Sequence, residues 1–309
     1  MFNRKQKQDY YKFLQQINYG YSLFDEKNKL ELDEFGYTII KADKNYWSKN
    51  DIDFDELENK CNQLSKTEGI NGGWENKKKN YLGHAEPSAQ RISNLPNKDK
   101  IFLQISKLPD FLFAAAQVIK RPFKFNAMQS RFPLPYGKAQ SLHIDWRPRL
   151  FKYFNYNQIT CFIYLDDATM QNGSLHVYPG THKLCGAPNT EYIEKKNLKF
   201  KALEAKKYNI ILLNIYAWHF GGKNINGLPR RTIFSSYRER SEFQQLNQKK
   251  FLDSDLIRNM TDFEKYLFAV RECDKTQNEF FKERRDTSLA KSYHILRDIV
   301  YHKYLEKFF

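Results

Sequence analysis

Hydrophobic and polar positions change their period along this 309-residue chain, and the changes divide it into three textures. The first third alternates helical and polar stretches. Leu30 to Phe35 reads as the end of a helix stopped at Gly36, and Tyr37 to Ile40 as a strand. Asp53 to Leu64 has helical spacing, and Ile101 to Ile119 reads as one or two helices around Pro109. Between them, residues 66–100 are polar and rich in Lys and Asn, with Gly72-Gly73, and are expected to form a lid-like loop. From about residue 123 short apolar or alternating runs recur at Phe123–Phe132, Ser141–Asp145, Gln158–Leu165, Ser174–Tyr178, Tyr208–Tyr216 and Thr232–Tyr237. Pro, Gly and Asn punctuate them, notably Pro135-Tyr136-Gly137, Asn172-Gly173, Pro179-Gly180 and Gly221-Gly222. Many short strands with such turns predict a β-sandwich or barrel, of which a jelly roll is one form. Beyond about residue 240 the pattern turns helical and charged. Thr261-Asp262-Phe263-Glu264 reads as a capping box, followed at helical spacing by Tyr266, Leu267 and Val270, and Asp286 to Phe309 as a last helix.

Composition narrows this picture. Aromatics make up 16% of the residues, which suits strands and a filled interior, and a charged fraction of 28% argues against global disorder. The four cysteines are scattered with no CxxC pair, against a zinc ribbon or thioredoxin motif and in keeping with a reducing compartment. The basic start, Met1 to Lys7, leads into no apolar stretch, and the most apolar window, Phe111 to Ile119, is too short to span a bilayer. A cytoplasmic protein with no membrane partner is expected. Formal net charge is +15, spread along the chain rather than gathered in a block. Such an excess attracts anions, whether nucleic acid or a phosphate- or carboxylate-bearing small molecule. Without nucleic-acid motifs, charge alone supports the polymer weakly, and the small molecule is preferred.

Candidate chemistry centres on His143-Ile144-Asp145. Two histidines and one carboxylate on one face can hold a single Fe(II) and leave positions open for co-substrate and dioxygen. In a strand, residues i and i+2 share a face, so His143 and Asp145 could reach one metal while Ile144 turns into the core. The chain carries a decoy, His84-Ala85-Glu86, inside the lid-like stretch with no strand leading into it. A third ligand must come from another strand, and His219, closing the apolar run Ile210–Trp218, is the best placed. Arg230 and Arg231 open the next strand, and a guanidinium there suits the far carboxylate of 2-oxoglutarate better than an ammonium would.

These residues resemble the phytanoyl-CoA dioxygenase-like family of Fe(II)/2-oxoglutarate oxygenases, which includes ectoine hydroxylase. The most specific match is the hairpin from Asp166-Asp167 through Asn172-Gly173-Ser174-Leu175-His176-Val177-Tyr178-Pro179-Gly180-Thr181-His182-Lys183. Trp218-His219-Phe220-Gly221, then Asn224 and Arg230, matches the second family element, and its eleven-residue step from His219 selects Arg230 over Arg231. Gln129-Ser130-Arg131 is similar to the ectoine hydroxylase segment whose glutamine touches 2-oxoglutarate. One departure, Tyr208-Asn209 where the family commonly has Gly-Asp, touches a turn rather than the site. The presence of Asp145 argues against halogenation, because related halogenases carry a small residue there.

The resemblance covers roughly residues 30–240. It implies a mainly β fold with flanking helices, built on a double-stranded β-helix (jelly roll, cupin-like) core, to which the sequence pattern adds N-terminal helices and a helical C-terminal extension. The oxygenase domain would occupy 1–240, including the loop 66–100, with 241–309 packed on the same domain. The implied ligands are His143, Asp145 and His219 for iron, and Arg230 and Gln129 for 2-oxoglutarate. Hydroxylation of a C–H bond in a small, anionic metabolite is the default reaction, and desaturation, cyclisation or epimerisation would use the same residues. Arg131, Trp146, Arg147 and Arg149 are the candidate substrate contacts. The alternatives are a jelly-roll binding protein without catalysis, against which the intact ligand set speaks, and a nucleic-acid-directed protein suggested by charge alone.

Overall fold

The computed structural model describes residues 4–17, 20–68, 71–72, 89–145 and 156–272. In chain order the elements are α1 (Arg4–Ile17), α2 (Glu26–Phe35), β1 (Tyr37–Ile40), α3 (Lys44–Lys49), α4 (Phe54–Glu68), β2 (Asn71–Gly72), β3 (Ala89–Ser93), α5 (Lys100–Ile105), α6 (Pro109–Ile119), β4 (Phe123–Pro133), β5 (Gln158–Tyr164) and β6 (Leu175–Val177). There follow α7 (Thr190–Lys195), β7 (Lys201–Leu203), β8 (Ile210–Asn214), β9 (His219–Gly221), β10 (Thr232–Glu239), α8 (Gln248–Phe251), α9 (Ser254–Asn259) and α10 (Asp262–Leu267).

The strands form a seven-stranded sheet, ordered β1-β8-β5-β10-β4-β3-β2, and a three-stranded sheet, β7-β6-β9. Apart from the short β2–β3 pair the ladders are antiparallel. Strand parity explains the layers. In β5, Ile159, Cys161 and Ile163 turn to one side and join Ile210, Leu212 and Ile233 in a core under α4, α5 and α6. Tyr164, with Ile211 and Leu213, turns to the other side and meets Leu175, Val177 and Leu203 of the small sheet. The second core is the inside of the jelly roll, and the large sheet is buried on both faces because helices cover its back.

β4 needs one correction of phase to serve both layers. Its register against β10 shifts between Ser236 and Tyr237, so that Tyr237 faces Phe125 and Ser236 faces Ala127, leaving Asn126 as a bulge. Phe123 and Phe125 therefore pack into the helix-side core, while Gln129 and Arg131, paired with Phe234 and Thr232, face the jelly-roll interior. Without the bulge one of these two sets would point the wrong way.

Helix boundaries follow their local chemistry. α2 starts with Asp25 accepting from Asn28 N–H and ends at Gly36, whose φ of 83° is left-handed and whose N–H reaches Leu32. α10 begins with the reciprocal Thr261–Glu264 box expected from its sequence. Phe263, Tyr266, Leu267 and Val270 pack on the helix-side core, so the C-terminal stripe is an internal face.

Three expectations need revision. The stretch 66–100 is not one loop: α4 runs to Glu68, β3 pairs with β4 over Ala89–Ser93, and a 3-10 turn occupies Leu95–Asn97. Its residues 73–88, with the decoy histidine, lie outside the described part, as does the terminal helix read over Asp286–Phe309. Ser141–Asp145 is not a strand but meets the sheet through a single bridge, and Ile144 is half-buried and belongs to neither core. The run ending at His219 is not one strand either. β8 stops at Asn214, whose side chain accepts the Tyr216 N–H, and the turned chain then crosses into the other sheet.

Candidate metal and co-substrate site

The strand-end turn is what brings the ligands together. Once the chain has crossed over, β9 opens on His219, and the irregular segment 137–145 lies antiparallel beside it. His143 and His219 exchange both backbone hydrogen bonds at 3.0 Å, Gln140 N–H donates to Gly221 at 2.9 Å, and Asp145 N–H donates to Ile215 at 3.3 Å. A directly opposed pair of residues places the two imidazoles side by side, with ring centroids 4.5 Å apart. Asp145 then closes the group, its Oδ1 lying 3.4 Å from His143 Nε2 and 3.6 Å from His219 Nε2.

Among the described residues, His143, Asp145 and His219 form one group able to hold a metal, with one ligand atom of each within 4.8 Å of the others. The nitrogens that do not face the group are committed. His143 Nδ1 donates to the Ser141 carbonyl at 2.6 Å and His219 Nδ1 to the Ala217 carbonyl at 2.8 Å. A carbonyl can only accept, so both rings carry their proton on Nδ1 and turn the Nε2 lone pair toward Asp145. Burial works to raise the Asp145 carboxyl, but the His219 and His143 imidazoles outweigh it and hold it well below the usual carboxylate range. Burial likewise works to lower the His143 imidazole, and Asp145 outweighs it, so the ring's basicity is raised. An ionised carboxylate beside two converging lone pairs fits a divalent ion of the kind that takes mixed imidazole and carboxylate ligands.

A cationic end of the interior lies further along the same strands. Arg230, two residues before the inward-facing Thr232, is 5% exposed and sets Nη1 3.4 Å from Thr232 Oγ1. Burial raises the Tyr164 hydroxyl, and the Arg230 and Arg131 guanidinium charges pull it back, which puts both arginines around one ring. Arg131 also stands against β9: a Cβ on Gly221 would lie 3.4 Å from Arg131 Nη1 and 2.7 Å from Gln140 Oε1. Gln129 shares the inward face, and its Oε1 is buried with no hydrogen-bond partner among the described residues. A buried acceptor and a buried guanidinium beside the metal group fit an elongated anion that also offers a donor or a bridging water.

The structure thus brings together His143, Asp145 and His219 and places Arg230, Arg131 and Gln129 on the adjoining inner face. Trp146, Arg147 and Arg149 lie outside the described residues. Arg231 turns outward to Asp166, as the choice of Arg230 requires. His182 sits in the turn after the hairpin, 1% exposed and away from the metal group, in keeping with a structural part. Sequence reasoning missed Tyr164 and Gln140. The parity of β5 could have placed Tyr164 inside, whereas nothing local marks Gln140, which accepts the Gly221 N–H at 2.9 Å across 81 residues of sequence.

A family profile described as Phytanoyl-CoA dioxygenase (PhyH) matches residues 34–232, close to two thirds of the chain. The chain belongs to this family and is, with it, a 2-oxoglutarate-dependent oxygenase whose cofactors are Fe(II) and 2-oxoglutarate. Solved structures show the same fold at low identity. HygX from Streptomyces hygroscopicus, with nickel and 2-oxoglutarate bound, is 14% identical over 75% of this chain and 93% of its own, with a TM-score of 0.53. EctD from S. alaskensis with bound Fe is 16% identical over 71% and 78%, with a TM-score of 0.54. The non-heme alpha ketoglutarate dependent epimerase SnoN from nogalamycin biosynthesis is 13% identical over 69% and 82%, with a TM-score of 0.53. No helix among the described residues is long and apolar enough to cross a membrane.

Proposed function

We propose that His143, Asp145 and His219 hold the Fe(II), that Arg230 and Gln129 receive 2-oxoglutarate, and that the enzyme hydroxylates a C–H bond of a small, anionic metabolite. The observation that carries this reading is the paired backbone exchange between His143 and His219, which turns two Nε2 atoms onto one carboxylate. With the iron and 2-oxoglutarate bound, the pair supplies dioxygen activation driven by decarboxylation of the co-substrate to succinate.

The chain's own residues orient and exclude. The Ser141 and Ala217 carbonyls fix the imidazole tautomers. Arg230 offers two parallel N–H donors to the far carboxylate in a dry interior, where charge-assisted bonds count most. Phe162, Phe234 and Leu213 belong to the inward face of the large sheet and give the interior apolar walls of the kind that exclude water. An anionic substrate is supported by Arg131 standing against β9 at Gly221 and by the net charge of +15. Hydroxylation is the default, and epimerisation, the activity of the neighbour SnoN, would use the same residues, as would desaturation or cyclisation.

The test is an anaerobic titration of the protein with Fe(II) and then 2-oxoglutarate, watched for the weak visible charge-transfer band of the chelate. Wild type should develop the band, and His219→Ala should not. No band in wild type, or the same band in His219→Ala, overturns the assignment. Succinate release with a panel of phosphorylated and carboxylated metabolites then tests the substrate class, and stimulation by neutral compounds alone would overturn the anionic part.

A further inference from the structure

Arg230 is followed directly by a second arginine, and the two side chains have opposite fates. Arg231 is held on all sides by polar partners. Its Nε and Nη2 grip Asp166 at 2.9 and 2.6 Å, Nη2 also reaches Glu58 at 2.5 Å, and Nη1 reaches Asn62 Oδ1 at 2.6 Å. The backbone is pinned at the same residue, its N–H donating to Asp166 at 2.7 Å and its carbonyl accepting from Leu165 at 3.0 Å. Glu58 and Asn62 stand one turn apart on α4, so the helix presents both to the same guanidinium. Lys207 completes the group by pairing with Glu58 at 2.5 Å.

We infer that Arg231 is a positioning residue for co-substrate binding, and that Glu58 and Asn62 of α4, with Asp166, clamp it outside the barrel so that Arg230 is fixed inside. This rests on the reading of Arg230 given above. Neighbouring side chains of an extended segment point to opposite faces. Locking residue 231 outward therefore locks residue 230 inward, where Arg230 meets Thr232 and Tyr164. The clamp also has an electrostatic effect. Two adjacent guanidinium groups repel, and the carboxylates of Glu58 and Asp166 neutralise Arg231 and Lys207, so that the outer pair of cations does not push on Arg230. Helix α4 thereby becomes part of the co-substrate site without touching it. Removal of partners that orient a ligand-holding group characteristically costs about tenfold or more in affinity.

The experiment uses the full chain loaded with Mn(II) in place of iron and titrated calorimetrically with 2-oxoglutarate. Glu58→Gln combined with Asn62→Ala, and separately Arg231→Lys, should raise the 2-oxoglutarate Kd by about tenfold while Mn(II) affinity stays at the wild-type value. In turnover the same variants should raise KM for 2-oxoglutarate far more than they lower kcat. Glu264→Gln is the control, because it breaks a comparable ion pair that Glu264 of α10 makes with Lys107 at 2.6 Å, among residues with no part in the proposed site. It should lower Tm without changing the Kd. If Arg231→Lys does not fold, the α4 variant carries the test. Binding by wild type that the clamp variants leave within twofold overturns the positioning inference, as does parallel loss of Mn(II) and 2-oxoglutarate affinity. Absence of 2-oxoglutarate binding by wild type overturns the co-substrate assignment itself.

Discussion

Gly36→Ala tests whether the turn at the head of β1 supports the metal group from behind. Gly36 ends α2 with a φ of 83°, and its carbonyl accepts the Asn214 N–H at 2.8 Å. A Cβ there would lie 2.6 Å from His182 Nδ1, 2.9 Å from His182 Cγ and 3.2 Å from the Ala217 Cβ. Two costs add. A left-handed conformation in an L-residue costs roughly 1–2 kcal/mol. Overpacking costs about 1–3 kcal/mol more, because the His182 ring is buried and cannot swing away. The sum, about 2–5 kcal/mol, corresponds to a Tm fall of about 3–8 °C for a chain of this length. The effect should also reach the metal. Relief of the clash pushes on Ala217, whose carbonyl orients His219 through Nδ1 at 2.8 Å. Mn(II) affinity should drop by about tenfold, the scale for disturbing a ligand's orienting partner. Thermal melts by circular dichroism and a Mn(II) titration followed by electron paramagnetic resonance read the two effects. A Tm within about 1 °C of wild type would refute the steric argument. An unchanged Mn(II) affinity in a clearly destabilised variant would refute the link from Ala217 to His219.

Further outcomes follow from the same geometry. Arg230→Met should weaken 2-oxoglutarate binding by about two orders of magnitude, roughly 3 kcal/mol for removing one partner of a buried charged pair, with Mn(II) affinity retained; a loss below threefold would show that another cation does the work. Tyr46→Phe removes the donor to Asp110 Oδ2 (2.7 Å), leaving a buried carboxyl with the Leu23 N–H at 2.9 Å, and should cost about 1–3 kcal/mol in urea unfolding at unchanged m. Glu58 gives a pH signature. Partial burial works to raise its carboxyl, but hydrogen bonds from Lys207 and Arg231 outweigh it and hold it below the ordinary glutamate value of about 4.3. A depressed folded pKa means stability that is present above the unfolded value and lost as pH falls through the folded one. The Tm gap between wild type and Glu58→Gln should therefore be constant above about pH 5 and close below about pH 4, and a gap that widens on acidification would contradict the pairing.

How much of this was legible in sequence depends on the range of the interactions involved. Local periodicity located β1, β5, β10, α4 and the helices around Pro109, because each carries its own burial pattern. The Asn172-Gly173 turn was legible for the same reason, since Gly173 adopts a φ of 84° that other residues resist. β3 was not, because Ala89–Ser93 sits in polar surroundings and owes its strand character to pairing with β4. The phase of β4 was not legible either, because the bulge at Asn126 is fixed by its register with β10, about 110 residues on. For the site, the spacing of His143, Asp145, His219 and Arg230 was readable as a motif. The role of Gln140 against Gly221, and of α4 behind Arg231, exists in tertiary contact alone.

Strand parity is not what brings His143 and Asp145 together. Regular strand structure would set i and i+2 on one face along the whole segment, yet the segment touches the sheet at one bridge. What aligns the ligands is the reciprocal backbone pair His143–His219, reinforced by Gln140 to Gly221 and Asp145 to Ile215. A histidine and acid two apart are common by chance, so that spacing alone could not separate this pair from the decoy at His84. A histidine bonded through both its N–H and its C=O to a second histidine, with each Nδ1 tied to the carbonyl two residues before it, is a far more restrictive arrangement. It demands that β8 end early, at Asn214, and that the chain turn into the second sheet. The interrupted strand is therefore what puts His219 opposite His143, and an uninterrupted run from Ile210 to His219 would have left Asp145 without its second imidazole.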